Sequence, residues 1–106
     1  IPAARTTVAL VQGRVVGLLA VSQDAEFGWI DQLYVLPGWV GRGIGTRLLD
    51  LARAELTPPI RLYTFQCNQL ARGFYERRGF RAIAFGDGSA NEERCPDVIY
   101  EWRPAP

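Results

Sequence analysis

Gly41, Gly43 and Gly45 stand two residues apart between a strand-like run, Val35-Leu36-Pro37, and an amphipathic stretch that opens at Ile44. Glycine permits positive φ and lets main-chain N–H groups converge without a Cβ in the way. A helix that follows adds the unpaired N–H groups of its first turn and the positive end of its dipole. Together these make a nest for a phosphate or pyrophosphate. The same residues also suit a plain tight turn from strand to helix, and on spacing alone both readings stand. Two common phosphate-binding patterns are excluded. Gly45 is followed by Thr46-Arg47, where a Walker loop needs Lys and then Ser or Thr. A dinucleotide fingerprint needs a glycine where Thr46 stands and an acid about 20 residues on, and Leu62 to Gln66 supplies none.

The inventory narrows the remaining chemistry. There is no His, and the 12 basic residues are all Arg. A Ser-His-Asp triad, a Cys-His pair, a His-ligated metal and a Schiff-base lysine are therefore absent. Acid–base work falls to carboxylates, Tyr, Cys, main chain or water. Asp31 interrupts the apolar run Trp29 to Leu36, and a two-residue period puts it on the face of Trp29, Leu33 and Val35, toward a cleft. It reads equally as a solvated or ion-paired carboxylate. Glu26, on a turn, and Glu101, on the last strand, are weaker candidates for a base. Tyr75 lies in the stripe Leu70, Ala71, Phe74 and Tyr75, which periodicity alone assigns to a core. Cys67 and Cys95 form one bridge at most and carry no zinc spacing, so both are read as reduced thiols of a cytoplasmic protein.

These residues need elements to hold them. Thr7 to Leu10 and Val15 to Val21 read as a hairpin about Gln12-Gly13-Arg14, and Trp29 to Leu36 as a third strand antiparallel to the second. Ile44, Leu48, Leu51, Ala52 and Leu56 recur at helical spacing until Thr57-Pro58-Pro59, with Arg47, Asp50 and Arg53 on the solvent side. Ile60 to Phe65 is a short strand. Asn68 caps a second helix that runs through Arg78 and ends on Gly79. Phe80 to Phe85 and Val98 to Trp102 are the last strands, joined by a polar loop from Gly86 to Pro96.

With 106 residues, 48% apolar, 22% charged and a formal charge of +1, the chain reads as a single domain over residues 1–106. No basic aromatic face invites nucleic acid. No apolar stretch approaches the roughly 20 residues of a membrane span. The N-terminus has no leader of the basic-apolar-small kind, and a start at Ile1 is read as a trimmed chain.

Taken together, the motifs resemble those of the GNAT superfamily of acyl-CoA N-acyltransferases. Its pattern is a strand ending V-x-P, then Q/R-x-x-G-x-G/A opening a helix, and later N-x-x-A-x-x-F-Y-x-x-x-G-F. This chain has Val35-Leu36-Pro37, then Gly43-Ile44-Gly45, then Asn68, Ala71, Phe74, Tyr75, Gly79 and Phe80 at those spacings. Val40 departs from the pattern, standing where the family has Gln or Arg. The likeness runs from about Thr7 to Arg103 and leaves out the family's first strand and first two helices.

The resemblance implies an α/β (α+β) domain, a mixed and mostly antiparallel sheet flanked by helices. It implies acetyl-CoA as acyl donor, held in a V between the third and fourth strands, with no metal. Its pantetheine arm would pair with the main chain of Leu33, Tyr34 and Val35. Its pyrophosphate would lie on the loop formed by Val40, Gly41, Arg42, Gly43, Ile44, Gly45 and Thr46. Asn68 would cap its helix, bond the pantetheine amides, or do both. An amine acceptor would attack the thioester directly, with the Val35 N–H receiving the oxyanion, Tyr75 donating to the leaving thiolate and Asp31 as candidate base. A covalent acyl-Cys67 is disfavoured, because no His or Lys lowers its pKa. The alternative is a non-catalytic acyl-CoA-binding or sensing module of the same fold. Exposed edge strands suggest a homodimer.

Overall fold

The computed structural model describes residues 3–105. Its elements are β1 (Ala3–Val11), β2 (Arg14–Gln23), β3 (Gly28–Val35), α1 (Ile44–Glu55), β4 (Ile60–Phe65), α2 (Gln69–Glu76), β5 (Arg81–Gly86) and β6 (Asp97–Trp102), with a 3-10 turn at Pro37–Trp39. Six strands form one sheet in the order β1-β2-β3-β4-β6-β5. Every pairing is antiparallel except β3 with β4, which the α1 crossover makes parallel. The mixed, mostly antiparallel sheet expected from the sequence is what forms.

The β1–β2 hairpin closes on two residues, Gln12 at φ 51° and Gly13 at φ 79°. Positive φ at both positions twists the turn in the sense that matches paired strands. β1 starts at Ala3, four residues earlier than its β-branched core suggests, because Ala3 to Thr6 pair with Ala20 to Gln23. Propensity reads only the apolar centre of a strand. The ladder extends it.

One face of the sheet is dry. Leu19, Val21, Ile30, Ile60, Leu62, Val98 and Tyr100 meet Leu48, Leu49 and Ala52 of α1 and Tyr75 of α2 in a single cluster. Leu49 and Ala52 have no exposed surface, so Leu49→Ala is expected to cost about 2–5 kcal/mol. The opposite face carries exposed Tyr34 and Tyr63, the latter stacked on Trp29 with ring centroids 5.7 Å apart.

The second helix ends at Glu76 rather than Arg78. Gly79, at φ 90°, turns the chain, so that the Phe80 N–H reaches the Tyr75 carbonyl at 3.1 Å and the Gly79 N–H reaches that of Glu76 at 3.3 Å. This is the paired closure that glycine caps make. Arg53 is another departure, being no solvated cation. It donates to the Arg78 carbonyl, and its guanidinium lies 4.8 Å from the Trp102 ring centroid and 5.5 Å from that of Phe80.

Candidate functional site

β3 and β4 pair only from Gly28 to Ile30 against Ile60 to Leu62. Beyond that the strands part. β3 continues along β2 to Val35, and β4 continues along β6 to Phe65. The gap is a cleft of about 770 Å3 that runs under the β5–β6 loop, and it continues into a second cavity of about 600 Å3 beside the glycine loop. Leu33, Tyr34, Asn68, Ala71 and Tyr75 line both. They mark the junction.

The direction of the main chain in the gap follows from one bond. The Leu36 N–H donates to the Val16 carbonyl at 2.8 Å, and Gly17 opposes Val35 in the same register. In an antiparallel ladder, residues bonded to the partner alternate with residues whose N–H and C=O face away. Val35 and Leu33 therefore turn their main-chain groups away from β2, toward the side where β4 has left. The sequence reading assigned the main chain of Leu33, Tyr34 and Val35 to an acyl arm and the Val35 N–H to an oxyanion. By the same alternation Tyr34, opposite Leu18, turns its main-chain groups to β2 and departs from that expectation.

Asp31 departs from its expected place. Ala20 pairs with Gln32 but Val21 pairs with Ile30, so Asp31 is the extra residue of a β-bulge. A bulge reverses the face of everything beyond it. Trp29 stacks on the open face, whereas Leu33 packs on the core and Val35 lies near α1. The two-residue period that grouped Asp31 with Trp29, Leu33 and Val35 fails at this point. Asp31 is exposed and still borders the cleft.

On the other side of the junction, Gly41 (φ 86°) and Gly43 (φ 82°) are left-handed, and a Cβ at either would meet nothing within 4 Å. Backbone conformation, not crowding, demands glycine there. Gly43 is the N-cap of α1, and the first intrahelical bond runs from the Arg47 N–H to its carbonyl at 3.1 Å. The N–H groups of Ile44, Gly45 and Thr46 thus have no intrahelical acceptor. The main chain fits a pyrophosphate group, since three N–H groups without an intrahelical acceptor follow two glycines whose Cβ positions are open. Val40 is 65% exposed and lines this cavity, but the side chains of Arg42, Ile44 and Thr46 do not. Arg42 lies 4.6 Å over the Trp39 ring, Ile44 packs against the core, and Thr46 accepts a bond from Arg78. Their main chain alone can serve the loop.

Tyr75 is 7% exposed and packs edge-on against Phe74 and Phe80. Its hydroxyl has no hydrogen-bond partner among the described residues, and burial pushes its pKa up to about 12. An unbonded phenol at the junction of two cavities is more than a packing aromatic requires. Asn68 caps α2 as expected, accepting from the Ala71 N–H at 3.1 Å through Oδ1. Its Nδ2 makes no hydrogen bond among the described residues.

Three other candidates lie elsewhere. Burial pushes the Glu101 carboxyl up, but bonds from Arg103 at 2.8 Å and Arg61 at 2.7 Å outweigh it and hold the group below its ordinary range. Glu26 sits in an exposed turn formed on Asp24, and exposed Cys67 borders neither cavity. Sequence reasoning missed Asn91, Glu93 and Asp97, which the β5–β6 loop folds over the cleft. No local pattern marks them. Two arginines of the second helix and its end are tied into the fold. Arg72 bonds the Tyr100 hydroxyl and the Gln66 carbonyl, each at 3.0 Å, and Arg78 joins the two helices.

The family model described as Acetyltransferase (GNAT) family matches residues 1–80. The chain belongs to the GNAT family. Over 65 residues it is 42% identical to mycothiol acetyltransferase of Beutenbergia cavernae, covering 58% of this chain and 22% of that one. It therefore spans about a fifth of that relative's length. The fold is also that of Arabidopsis thaliana Naa50 in complex with the bisubstrate analogue CoA-Ac-MVNAL, at TM-score 0.83 and 23% identity over 93% of this chain and 72% of that one. A PaiA N-acetyltransferase from Thermoplasma acidophilum in complex with coenzyme A superposes at TM-score 0.76 and 20% identity, covering 95% and 61%. The GNAT fold is thus established for this six-stranded sheet and its two helices.

Proposed function

We propose that the chain is an acetyl-CoA-dependent N-acetyltransferase that acts on a primary amine by direct attack. The carrying observation is the position of Tyr75, a residue only 7% exposed whose hydroxyl, with no hydrogen-bond partner among the described residues, stands between a cavity walled by the glycine loop and one that opens between diverging strands. Acetyl-CoA supplies the activated acetyl group. Its phosphates fit the N–H groups at Ile44 to Thr46, and its amide-bearing arm fits the outward main chain of Leu33 and Val35. The coenzyme A in the PaiA structure supports the assignment.

The chain's own groups have defined tasks in this reading. As the amine nitrogen bonds to the carbonyl carbon, charge builds on the carbonyl oxygen and the Val35 N–H receives it. The C–S bond then breaks, and the Tyr75 hydroxyl donates to the departing sulfur. A phenol at about 12 is a weaker acid than a thiol at about 8.5, so the hydrogen bond carries most of this stabilisation. The proton that ends on sulfur is balanced by the one lost from nitrogen, which Asp31 or water accepts.

Calorimetric titration with acetyl-CoA, with ATP and NADH as controls, tests the cofactor site. Thiol release in the presence of amines tests the reaction. Selective binding with turnover supports the transferase. Binding without turnover supports the second reading, an acyl-CoA-binding or sensing module, which is favoured by the exposed Val40 where the family has Gln or Arg. Free cysteines support a cytoplasmic setting, and exposed Ile83 and Phe85 on edge strand β5 support a homodimer, which sedimentation checks.

A further inference from the structure

The two cavities that meet at Tyr75 differ in charge. Arg77 and Arg78 are the ionisable border of the one beside the glycine loop, and no carboxylate lines it. Asp31, Glu93 and Asp97 border the other, and no cation lines it. None of these three carboxylates is in an ion pair among the described residues. Asp97 is held there by Asn91, whose Nδ2 donates to the Cys95 carbonyl at 2.8 Å and to Asp97 Oδ2 at 3.3 Å. Its Oδ1 accepts from the Cys95 N–H at 3.2 Å. A second observation points to a ligand in the same space. Tyr75 is 7% exposed, its hydroxyl has no hydrogen-bond partner among the described residues, and the residue lines this cavity.

A single-sign cleft raises the local concentration of the opposite charge. A simple primary amine needs one carboxylate at most, and its nitrogen must be neutral when it attacks. Carboxylates from β3, the β5–β6 loop and the start of β6 exceed that need. The exposed Tyr63 ring, which borders the same cleft, offers a face to a cation as well.

Building on the transferase reading, we infer that the acceptor is an amine bearing a second positive charge, a diamine or polyamine. The reacting nitrogen loses its proton and forms the amide at the Tyr75 junction. The second ammonium takes no part in the bond changes and stays on the carboxylates of the β5–β6 side.

The test compares 1,4-diaminobutane with 1-aminobutane as acceptors for acetyl-CoA. The diamine is expected to show a kcat/KM higher by about tenfold, a steering effect of the acidic cleft. Raising salt from about 0.01 to about 0.15 M, which cuts the screening length from roughly 30 to 8 Å, is expected to compress that ratio. Glu93→Gln, on an exposed loop, is expected to lower it by about threefold, in line with one exposed charge pair. Calorimetry of 1,4-diaminobutane against the CoA-saturated chain reads the same preference without turnover, and the variant should bind it more weakly. Transfer to both amines with no diamine preference, or a ratio unmoved by Glu93→Gln, overturns the inference and leaves the transferase standing. Failure to bind acetyl-CoA overturns the transferase reading and this inference with it.

Discussion

Arg78 donates from Nη2 to the Thr46 hydroxyl at 2.8 Å, and that bond fastens the end of α2 to the first turn of α1. The same guanidinium donates to the Phe74 carbonyl at 3.0 Å and lies 3.9 Å from the Phe74 ring centroid. Arg53 of α1 returns the contact by donating to the Arg78 carbonyl. The helix that carries Tyr75 and the helix that carries the loop's N–H groups are therefore locked together. Cofactor grip and chemistry share one brace.

Thr46→Val keeps the volume and removes the acceptor. A hydrogen bond to a charged group contributes about 1.5–3 kcal/mol when dry, and this half-buried one is expected to contribute about 1 kcal/mol. The urea midpoint should fall in Thr46→Val and hold in Thr46→Ser. Acetyl-CoA binding should weaken severalfold in the first and stay in the second. A valine variant as stable as the parent would show that the brace carries no energy.

The glycines of the loop separate by mechanism. Gly43→Val forces a β-branched residue to φ 82° at a cost of about 1–2 kcal/mol, although its Cβ has open space. It should weaken acetyl-CoA binding by more than about tenfold as the N-cap turns its N–H groups away. Gly45 has no positive φ, and a Cβ there would sit 3.4 Å from the Phe74 ring, an ordinary contact. Gly45→Ala should fold and bind much as the parent does. Equal binding by both variants, measured by calorimetry, would remove the loop from the cofactor site.

What was legible in the sequence was what is local. The Gln12-Gly13 turn, the Asn68 cap, the Gly79 closure and the glycine loop each depend on residues within a few positions, and each is where its residue types put it. Asp31 failed because a bulge is a property of two strands, and its register with Ala20 and Val21 leaves no mark on β3 alone. Arg53 failed for the related reason that helical periodicity counts any charge as solvent-facing. Here its guanidinium lies on aromatic rings and a main-chain carbonyl. Glu93 and Asp97 reach the cleft only because β6 returns beside β4, some 30 positions later in the chain.

Tyr75→Phe keeps the ring, its edge-on contacts and the cavity wall, and removes only the hydroxyl. Because that hydroxyl bonds nothing in the described protein, stability at neutral pH should change little. Transfer should slow by about 100-fold, the usual scale for a positioned acid, with acetyl-CoA affinity within about twofold. Unchanged turnover would withdraw Tyr75 from the chemistry and restore it to the core stripe.

The same phenol makes a prediction for alkaline pH. Its native pKa is raised by burial from 10.0 to about 12, so between those values the unfolded chain has released a proton that the native chain retains. Stability rises with pH only where the unfolded state binds more protons, and here it binds fewer. The contribution is therefore fully present below about pH 10 and is lost as pH climbs through about 12. Two pKa units correspond to roughly 3 kcal/mol at most. Tyr100 is also raised, by burial and by its bond to Glu76, so the parent has two late phenols and Tyr75→Phe has one. In an ultraviolet phenolate titration the variant should lose one equivalent from the most alkaline step, and its stability should decline less steeply above pH 10. A Tyr75-dependent step at the ordinary phenol value would mean that burial does not hold the phenol back, and the raised pKa would have to be given up.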